Sequence, residues 1–268
     1  MQLLNPEVPR ALSRVKRLNM IVLDWAGTTV DYGSMAPVKT LTELFSRAGM
    51  PITESEARRD MGLPKKDHIR NILLARNGNE TGLDGLYREF IPLQFACLAR
   101  YSTIISGIPQ AVARFRKRDL KIGSTTGYTR EMLDLLVEQS AQEGYHADCS
   151  LTPEDAGAGR PHPFMMYSLA IRLQAYPMAA VVKVGDTPAD ILEGLNAGAW
   201  SVGIVKTGNM IGLSQQEFET LPLSEQAQRL RQARTQFAEA GAHYVVDSVA
   251  ELDPVLDDID DRLATHTN

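Results

Sequence analysis

Met20-Ile21-Val22-Leu23-Asp24 is a short apolar run that ends in a carboxylate, and the glycine- and threonine-containing segment 25–29 follows it. An unbroken apolar run of this length predicts a strand buried on both faces, as in a parallel sheet. Further runs of the same form follow along the chain, at residues 120–125, 179–186, 200–205 and 243–247. The sequence therefore predicts several buried strands with polar residues at or after their ends.

Helical patterns separate these runs, at residues 109–118, 130–142, 163–173 and 188–197. Strands that alternate with helices indicate an α/β protein, and we predict a Rossmann-like doubly wound parallel sheet. In such sheets, polar residues at the carboxyl ends of the strands collect in one crevice. We therefore expect Asp24, Thr125, Thr126 and Asp186 to meet.

The segment after the first strand is different, because it has helical patterns but no convincing buried strand. We predict an α/β core formed by residues 1–36 and 106–268, with a helical cap domain inserted at residues 37–105. Thr53 to Glu56 is a capping-box pattern that opens a short cap helix. Residues 248–251 predict the start of a C-terminal helix by the same logic, and the acidic run 257–261 predicts its solvated face.

Composition excludes several classes of protein. The 268 residues are 44% hydrophobic and 23% charged, with a net charge of -5 and a pI of about 5.6. This balance argues against nucleic acid or an anionic membrane as a partner, although a small anionic substrate remains compatible. The two cysteines form no zinc motif, and residues 1–18 lack the apolar core of a signal peptide. We expect a cytoplasmic protein.

Two acidic positions point to phosphoryl chemistry. Asp24, followed by Gly27, is placed to attack phosphorus, and the alternative is a turn or helix-capping aspartate. Asp186 and Asp190 supply hard oxygen ligands that suit Mg²⁺. For Asp186, the alternative is helix capping with Pro188 in the first turn, and capping is compatible with metal binding.

Hydroxyl, amide and cationic groups complete the pattern. Thr125, Thr126 and Gly127 lie at a predicted helix start, where they form a cradle for phosphate oxygens. Arg160 lies in a Gly/Pro-rich loop and is able to pair with a phosphate through two hydrogen bonds. Taken alone, Arg160 is better interpreted as a surface arginine.

The order of these four motifs resembles the haloacid dehalogenase superfamily of phosphotransferases. One position departs from its phosphatases, which carry a second aspartate two residues after the nucleophile as a general acid. Here that position is Ala26, which donates no proton. A general acid is worth about 10²–10⁴-fold in rate, so its absence indicates either an impaired enzyme or a leaving group that needs no acid there.

Residues 24–33 and 61–68, with 123–130, 158–161 and 183–187, are similar to the phosphonoacetaldehyde hydrolases, the phosphonatase family. This resemblance implies that Lys65 forms an imine with an aldehyde phosphonate and that His68 shuttles a proton or positions water. It implies cleavage of the C–P bond to acetaldehyde and phosphate through an aspartyl phosphate, in a homodimer that packs through the cap. It implies substrate contacts from Met61, Tyr128, Thr125, Thr126, Gly127 and Arg160, and a Mg²⁺ site at Asp24, Ala26, Asp186 and Asp190.

Without the resemblance, Lys65, Lys66 and His68 are readable as surface residues, and Met61 and Tyr128 as packing residues. An imine-forming lysine must be neutral, and we expect Lys66 or Arg160, together with cap closure, to lower the pKa of Lys65. Ser34 departs from the family pattern, which has cysteine there.

Two other functions compete with C–P hydrolysis. One is a phosphate-ester phosphatase or phosphomutase on the same scaffold, which Ala26 disfavours. The other is a catalytically idle binding or regulatory protein, which the complete set of acidic, hydroxyl and cationic positions disfavours.

Overall fold

A computed structural model describes residues 17–265. The signal-peptide prediction falls largely on residues 1–16 and so lies outside the described residues. Within residues 17–265, no helix is both long and apolar enough to cross a lipid bilayer.

The centre of the structure is a six-stranded sheet in which every adjacent pair is parallel. The order β3-β2-β1-β4-β5-β6 places the first strand in the middle, with connections running outward to both sides. This confirms the predicted doubly wound α/β fold. The strands are β1 (Met20–Leu23), β2 (Lys121–Thr125), β3 (Cys149–Leu151), β4 (Val181–Gly185), β5 (Trp200–Ile204) and β6 (Tyr244–Val246).

Five of the six strands lie where the apolar runs predict them, and β3 is the exception. Two of its three residues are a cysteine and a serine that are only partly buried, and Leu151 alone is fully buried, so they do not form an apolar run. The strand forms because it pairs with β2, from Gly123–Cys149 to Thr125–Leu151.

Five helices lie between β1 and β2 in the described chain, and the first four form the cap segment; they are α1 (Met35–Arg47), α2 (Glu54–Arg58), α3 (Lys65–Asn77) and α4 (Leu83–Tyr101). Thr53 caps α2 through the predicted capping box, since its side chain accepts from the Glu56 amide and Glu56 accepts from the Thr53 amide. The domain boundaries at residues 37 and 105 stay a prediction.

Eight α-helices lie in the described residues outside the cap segment. They are α5 (Ile108–Lys117), α6 (Arg130–Gln142), α7 (Pro153–Ala156), α8 (Phe164–Leu173), α9 (Pro188–Asn196), α10 (Gln215–Thr220), α11 (Leu223–Glu239) and α12 (Asp253–Thr265). The apolar patterns predict α5, α6, α8 and α9 to within a residue or so at each end. They miss α10 and α11; α11 buries only Ala233 and Phe237.

The predicted C-terminal helix is present, but its predicted start is wrong. Ser248 caps no long helix: a 3-10 turn, Val249–Glu251, follows it, and α12 begins at Asp253. The acidic run is also more than a solvated face, because Asp257 and Asp260 pair with Arg118 at the end of α5. These ion pairs connect α12 with the end of α5.

The side chains of β1 lie in the interior of the sheet. Ile21 is fully buried and pairs with Ile122 on one side and Val182 on the other. It belongs to an apolar cluster that includes residues of the cap helices, such as Ile69 and Phe90. Burial of β1 therefore contributes to the stability of both the α/β core and the cap helices.

We expect Ile21→Ala to lower the free energy of unfolding by about 2–5 kcal/mol, because it removes buried methyl groups and leaves a cavity. Chemical denaturation measures the change. Ile171→Ala is the matched control, since Ile171 is 78% exposed and its truncation should change stability by less than about 0.5 kcal/mol. Equal effects of the two substitutions would contradict this account of the core.

Candidate active site

The carboxyl ends of β1, β2 and β4 bring together the residues that the sequence predicts to meet. Leu23 is in register with Ser124 and Val184, so Asp24 follows at the same edge as Thr125 and Asp186. The Asp24 amide donates to the Val184 carbonyl at 3.0 Å, which fixes the start of the loop. The predicted crevice is therefore confirmed.

Three aspartates form the acidic centre of this crevice. Asp24, Asp186 and Asp190 each offer a carboxylate oxygen, and these oxygens lie within 4.8 Å of one another. Burial raises the pKa of Asp24, and Arg160 offsets part of that rise. Burial and the charge of Asp24 raise the pKa of Asp186 well above its ordinary value. Crowded, buried carboxylates of this kind fit a divalent cation.

The three carboxylates differ in how many protein groups they contact. One oxygen of Asp190 contacts Arg160 and Lys183, and the other accepts from the Thr187 amide and hydroxyl. Asp186 accepts from the Asn209 amide at 2.7 Å through one oxygen. Asp190 is therefore the most committed to protein partners, and Asp24 and Asp186 are better placed to touch a cation directly.

The helix-capping alternative for Asp186 is wrong. Thr187 is the N-cap of α9, and it forms a capping box with Asp190. Pro188 occupies the first turn, as the alternative requires. The carboxylate of Asp186 is thus left for other contacts.

Arg160 is not a surface residue, because only 3% of it is exposed. Its guanidinium pairs with Asp24 at 2.7 Å, Asp190 at 3.0 Å and Glu193 at 3.0 Å, and it donates to the Thr125 carbonyl at 2.6 Å. All three of its nitrogens are engaged, so Arg160 orients Asp24. The predicted two-bond contact with substrate would need one of these bonds to be exchanged.

Lys183 and Glu193 were not predicted as site residues. Both are fully buried, and they pair with each other at 3.1 Å. The Thr125 hydroxyl donates to Glu193 at 2.9 Å and accepts from Lys183 at 2.8 Å. The available signal was a lysine inside an otherwise apolar strand, and a glutamate one helical turn after Asp190. The Thr125 side chain thus faces this network, and its substrate contact stays a prediction.

Lys65 is the first residue of α3 and is 6% exposed. Its Nζ lies 4.0 Å from Met61 Sδ and 4.9 Å from the centre of the Tyr128 ring. Burial lowers the pKa of Lys65 to about 8; Asp24 opposes the shift and Arg160 adds to it. The expectations for burial and Arg160 are met. Lys66 instead pairs with Asp84 at the surface and is not among the causes.

His68 lies one helical turn after Lys65 and is fully buried, so it is not a surface histidine. Burial, together with the charge of Lys65, lowers the pKa of His68 to about 3, and the Ala57 backbone opposes the shift weakly. Within the described part of the chain, neither ring nitrogen forms a hydrogen bond of standard geometry. The imidazole is therefore neutral at physiological pH.

A small cavity of about 20 Å³ joins the two sides of the site. Tyr128 and Met61 close it, and the Ser34 hydroxyl lines it without a hydrogen bond to any described residue. Cap and core are tightly apposed here, since a Cβ on Gly127 would lie 2.5 Å from the Leu63 carbonyl. The lining residues are Asp24, Ala26, Ser34, Pro37, Met61, Gly62, Lys65, Thr126, Gly127, Tyr128, Arg160, Asp186 and Thr187.

Known proteins resemble this chain in sequence and in fold. A family model described as haloacid dehalogenase-like hydrolase matches residues 18–198. The chain is 41% identical to the phosphonoacetaldehyde hydrolase of Bacillus cereus (strain AH820) over 256 residues, which cover 91% of this chain and 97% of that protein. The phosphonoacetaldehyde hydrolase of Bacillus anthracis is equally similar, at 41% identity over the same shares.

The chain belongs to the phosphonoacetaldehyde hydrolase family, within the haloacid dehalogenase-like hydrolases. A solved structure of a phosphonoacetaldehyde hydrolase-like protein from Oleispira antarctica superposes with a TM-score of 0.91 at 35% identity, over 98% of this chain and 99% of that one. A hydrolase from Pseudomonas syringae superposes with a TM-score of 0.69 at 17% identity, over 90% of this chain and 99% of that one, and shares the fold.

We expect Gly27→Ala to weaken divalent-metal binding by more than about tenfold, measured by calorimetric titration. Gly27 has φ +78°, and an added Cβ would lie 2.1 Å from Asp186 Oδ2, so the carboxylate must move. Gly49→Ala is the matched control, because Gly49 has φ +73° but no atom within 4 Å of such a Cβ. It shares the backbone penalty of about 1 kcal/mol and leaves the acidic cluster in place. Equal loss of metal affinity in both variants would contradict the steric explanation.

Proposed function

We propose that this protein hydrolyses the carbon–phosphorus bond of phosphonoacetaldehyde to acetaldehyde and phosphate. One observation carries the proposal: Lys65, a buried lysine with a lowered pKa, and Asp24, a strand-end aspartate, line the same small cavity. The first suits an aldehyde and the second suits phosphorus. A phosphonate with an aldehyde group two bonds from phosphorus uses both.

Imine formation is the first step of this proposal. The neutral amine of Lys65 attacks the aldehyde carbon, and loss of water with uptake of one proton from solvent gives a protonated imine. The pKa of about 8 favours this, because it makes a neutral fraction accessible near pH 7. The protonated imine is an electron sink, which C–P cleavage requires because the carbanion is otherwise a poor leaving group.

Cleavage at phosphorus is the second step. A carboxylate oxygen of Asp24 attacks phosphorus, the C–P bond breaks, and its electron pair moves into the imine to give an enamine. Protonation of the enamine carbon and hydrolysis of the resulting imine release acetaldehyde and free Lys65. Water then hydrolyses the aspartyl phosphate to phosphate and restores Asp24.

Mg²⁺ is the metal that we propose for the acidic centre. Asp24 and Asp186 would hold it, with the Ala26 backbone carbonyl as a further oxygen ligand and Asp190 as a supporting carboxylate. When bound, it would offset the repulsion between the Asp24 carboxylate and the phosphonate oxygens. Arg160 holds Asp24 in place at 2.7 Å.

The remaining predicted residues have roles that fit their surroundings. His68, with its pKa lowered to about 3, is neutral and acts as a proton acceptor or a water-positioning group. Thr126 and Gly127 offer a hydroxyl and an amide to the phosphonate oxygens at the cavity wall. Met61 and Tyr128 surround the Lys65 amine and exclude water from it. The cap-mediated homodimer and the cytoplasmic location are part of the same proposal and stay predictions.

The ester-hydrolysis alternative is weaker because of Ala26. A phosphate ester leaves as an alkoxide that needs a proton, and Ala26 provides none at the position where related phosphatases carry an acid. The structure offers no observation that favours this alternative.

We expect purified protein to release equal amounts of phosphate and acetaldehyde from phosphonoacetaldehyde with Mg²⁺, and to lose this activity with a chelator. Parallel assays on a panel of phosphomonoesters decide between the two chemistries. A higher kcat/KM on any ester than on phosphonoacetaldehyde would refute C–P hydrolysis as the main activity. A protein inactive on every substrate, but tightly bound to a partner, would support the idle binding protein.

We expect borohydride to trap a substrate adduct on Lys65, located by mass spectrometry, and Lys65→Arg to abolish it. Lys66→Arg is the matched control and should retain the adduct, because Lys66 pairs with Asp84 at the surface. Because the neutral amine reacts, the initial trapping rate should rise about tenfold from pH 7 to pH 9 and then level off for a pKa of about 8. An unshifted lysine would instead show a rise of roughly a hundredfold over that range. An adduct on another residue, or turnover with no adduct, would exclude the imine mechanism.

A further inference from the structure

Arg58 is a cap residue with an unusual set of partners. It ends α2, and its guanidinium reaches out of the cap to two separate segments. Nη1 donates to the Gly33 carbonyl at 2.9 Å and to Asn209 Oδ1 at 3.0 Å, while Nη2 donates to the Gly212 carbonyl at 2.9 Å. Gly33 lies just before α1, and Asn209 and Gly212 lie in the loop after β5. One side chain thus joins the cap to a linker and to the core.

The contact with Asn209 is reciprocal and leads to the acidic centre. The Asn209 side-chain amide donates back to the Arg58 carbonyl at 3.2 Å. The backbone amide of the same Asn209 donates to Asp186 Oδ2 at 2.7 Å. Asn209 is therefore held by Arg58 on one side and orients Asp186 on the other.

The Arg58 carbonyl also connects to the loop that carries the lysine. It accepts from the Met61 amide at 3.2 Å, and Met61 Sδ lies 4.0 Å from the Lys65 amine. The segment from Arg58 to Lys65 is therefore anchored at its start by the same residue that contacts Asn209. A displacement of Arg58 would move Lys65 and Asp186 relative to each other.

The linker contact constrains how the cap joins the core. Gly33 has φ +84° and Ser34 has φ +50°, a conformation that few side chains adopt. The Gly33 amide donates to the Thr207 carbonyl at 2.7 Å while its carbonyl accepts from Arg58. The linker is therefore fixed from the core side and the cap side at once.

Packing around the guanidinium is tight. Gly212 has φ +66°, and a Cβ added to it would lie 2.6 Å from Arg58 Nε. A planar guanidinium with five fixed donors suits several acceptors in different directions, which the single ammonium of a lysine does not. The geometry favours arginine at this position.

We propose that Arg58 is a positioning residue that couples the cap to the core, and that it sets the placement of Lys65 relative to Asp24 and Asp186 through Asn209 and the 33–34 linker. It touches none of the reacting groups. The kinetic part of this proposal rests on the proposed function, because it assumes that cap and core groups act on one substrate.

The kinetic test compares Arg58→Ala, Asn209→Ala and the double variant with the wild-type protein, on phosphonoacetaldehyde and Mg²⁺. We expect Arg58→Ala to lower kcat by about 10–100-fold, because a displacement of about 1 Å between reacting groups has an effect of that size. The double variant should be no slower than Arg58→Ala alone, since both single changes break the same connection. Arg58→Lys, which keeps one donor, should fall between wild type and Arg58→Ala.

Arg59→Ala is the matched control, because Arg59 is the next residue in the chain and is exposed. It should change kcat by less than about twofold. Single-variant losses that multiply in the double variant, or an Arg58→Ala variant with wild-type kcat, would overturn the proposal.

Hydrogen exchange of the protein without substrate separates this proposal from the proposed function. We expect faster exchange of the Gly33 and Ser34 amides in Arg58→Ala than in wild type or Arg59→Ala, at temperatures where all three variants remain folded. This readout requires no turnover, so it holds even if phosphonoacetaldehyde is not the substrate. Unchanged exchange in the linker would overturn the coupling role whatever the activity.

Discussion

The balance of buried charge at the sheet edge is the constraint on which the rest of the site depends. Four carboxylates lie there, and two of them, Asp190 and Glu193, share the cations Arg160 and Lys183. Burying ions out of water costs several kcal/mol each unless they are paired and hydrogen-bonded. The network meets this requirement for Asp190 and Glu193, and Asp24 shares Arg160 with them at 2.7 Å. Asp186 has no ion-pair partner among the described residues, and both Asp24 and Asp186 face the cavity. Negative charge is in excess at Asp24 and Asp186, and the pKa values of both carboxyl groups are raised. Both features favour the binding of a divalent cation between them.

The same balance explains why a lysine close to carboxylates has a lowered pKa. The charge of Asp24 raises the pKa of Lys65, but burial outweighs it and Arg160 acts in the same direction as burial. No carboxylate within the described residues forms an ion pair with the Lys65 amine; its neighbours are a thioether and an aromatic ring. Met61 of the cap and Tyr128 of the core therefore supply the apolar environment of the Lys65 amine, and the carboxylates of the core supply the charge. A lysine placed directly among the aspartates would be held in its protonated form and could not attack a carbonyl.

The sequence predicts the parts of this structure that depend on local patterns. The apolar runs locate five strands, and the polar residues after them identify Asp24 and Asp186. It does not predict β3, which depends on pairing with β2 rather than on apolar residues of its own. Nor does it predict α11, whose buried face contains only Ala233 and Phe237. Such elements are stabilised mainly by what surrounds them.

Supporting residues of the site were missed for a related reason. A motif identifies groups by their chemistry, and Glu193 or Arg58 has no distinctive chemistry until the fold gives it partners. Glu193 lies one turn after Asp190 and could equally be a surface residue of an amphipathic helix. Arg58 ends a five-residue helix in a segment rich in charge. Their roles depend on residues up to 154 positions away, as in the contact between Arg58 and Gly212.

The separate roles proposed for the cap and the core explain why position 26 can be an alanine. In a single-domain arrangement, the group that assists the leaving group must lie close to the nucleophile, which is where related phosphatases place their acid. Here Lys65 of the cap and Asp24 line the same cavity, so in the proposed mechanism the leaving group is assisted by an electron sink on the cap side. A side-chain acid at position 26 would add a further buried carboxylate to a site that already has an excess of negative charge. Alanine at position 26 therefore fits both the proposed leaving group, which needs no acid there, and the electrostatics of a site with excess negative charge.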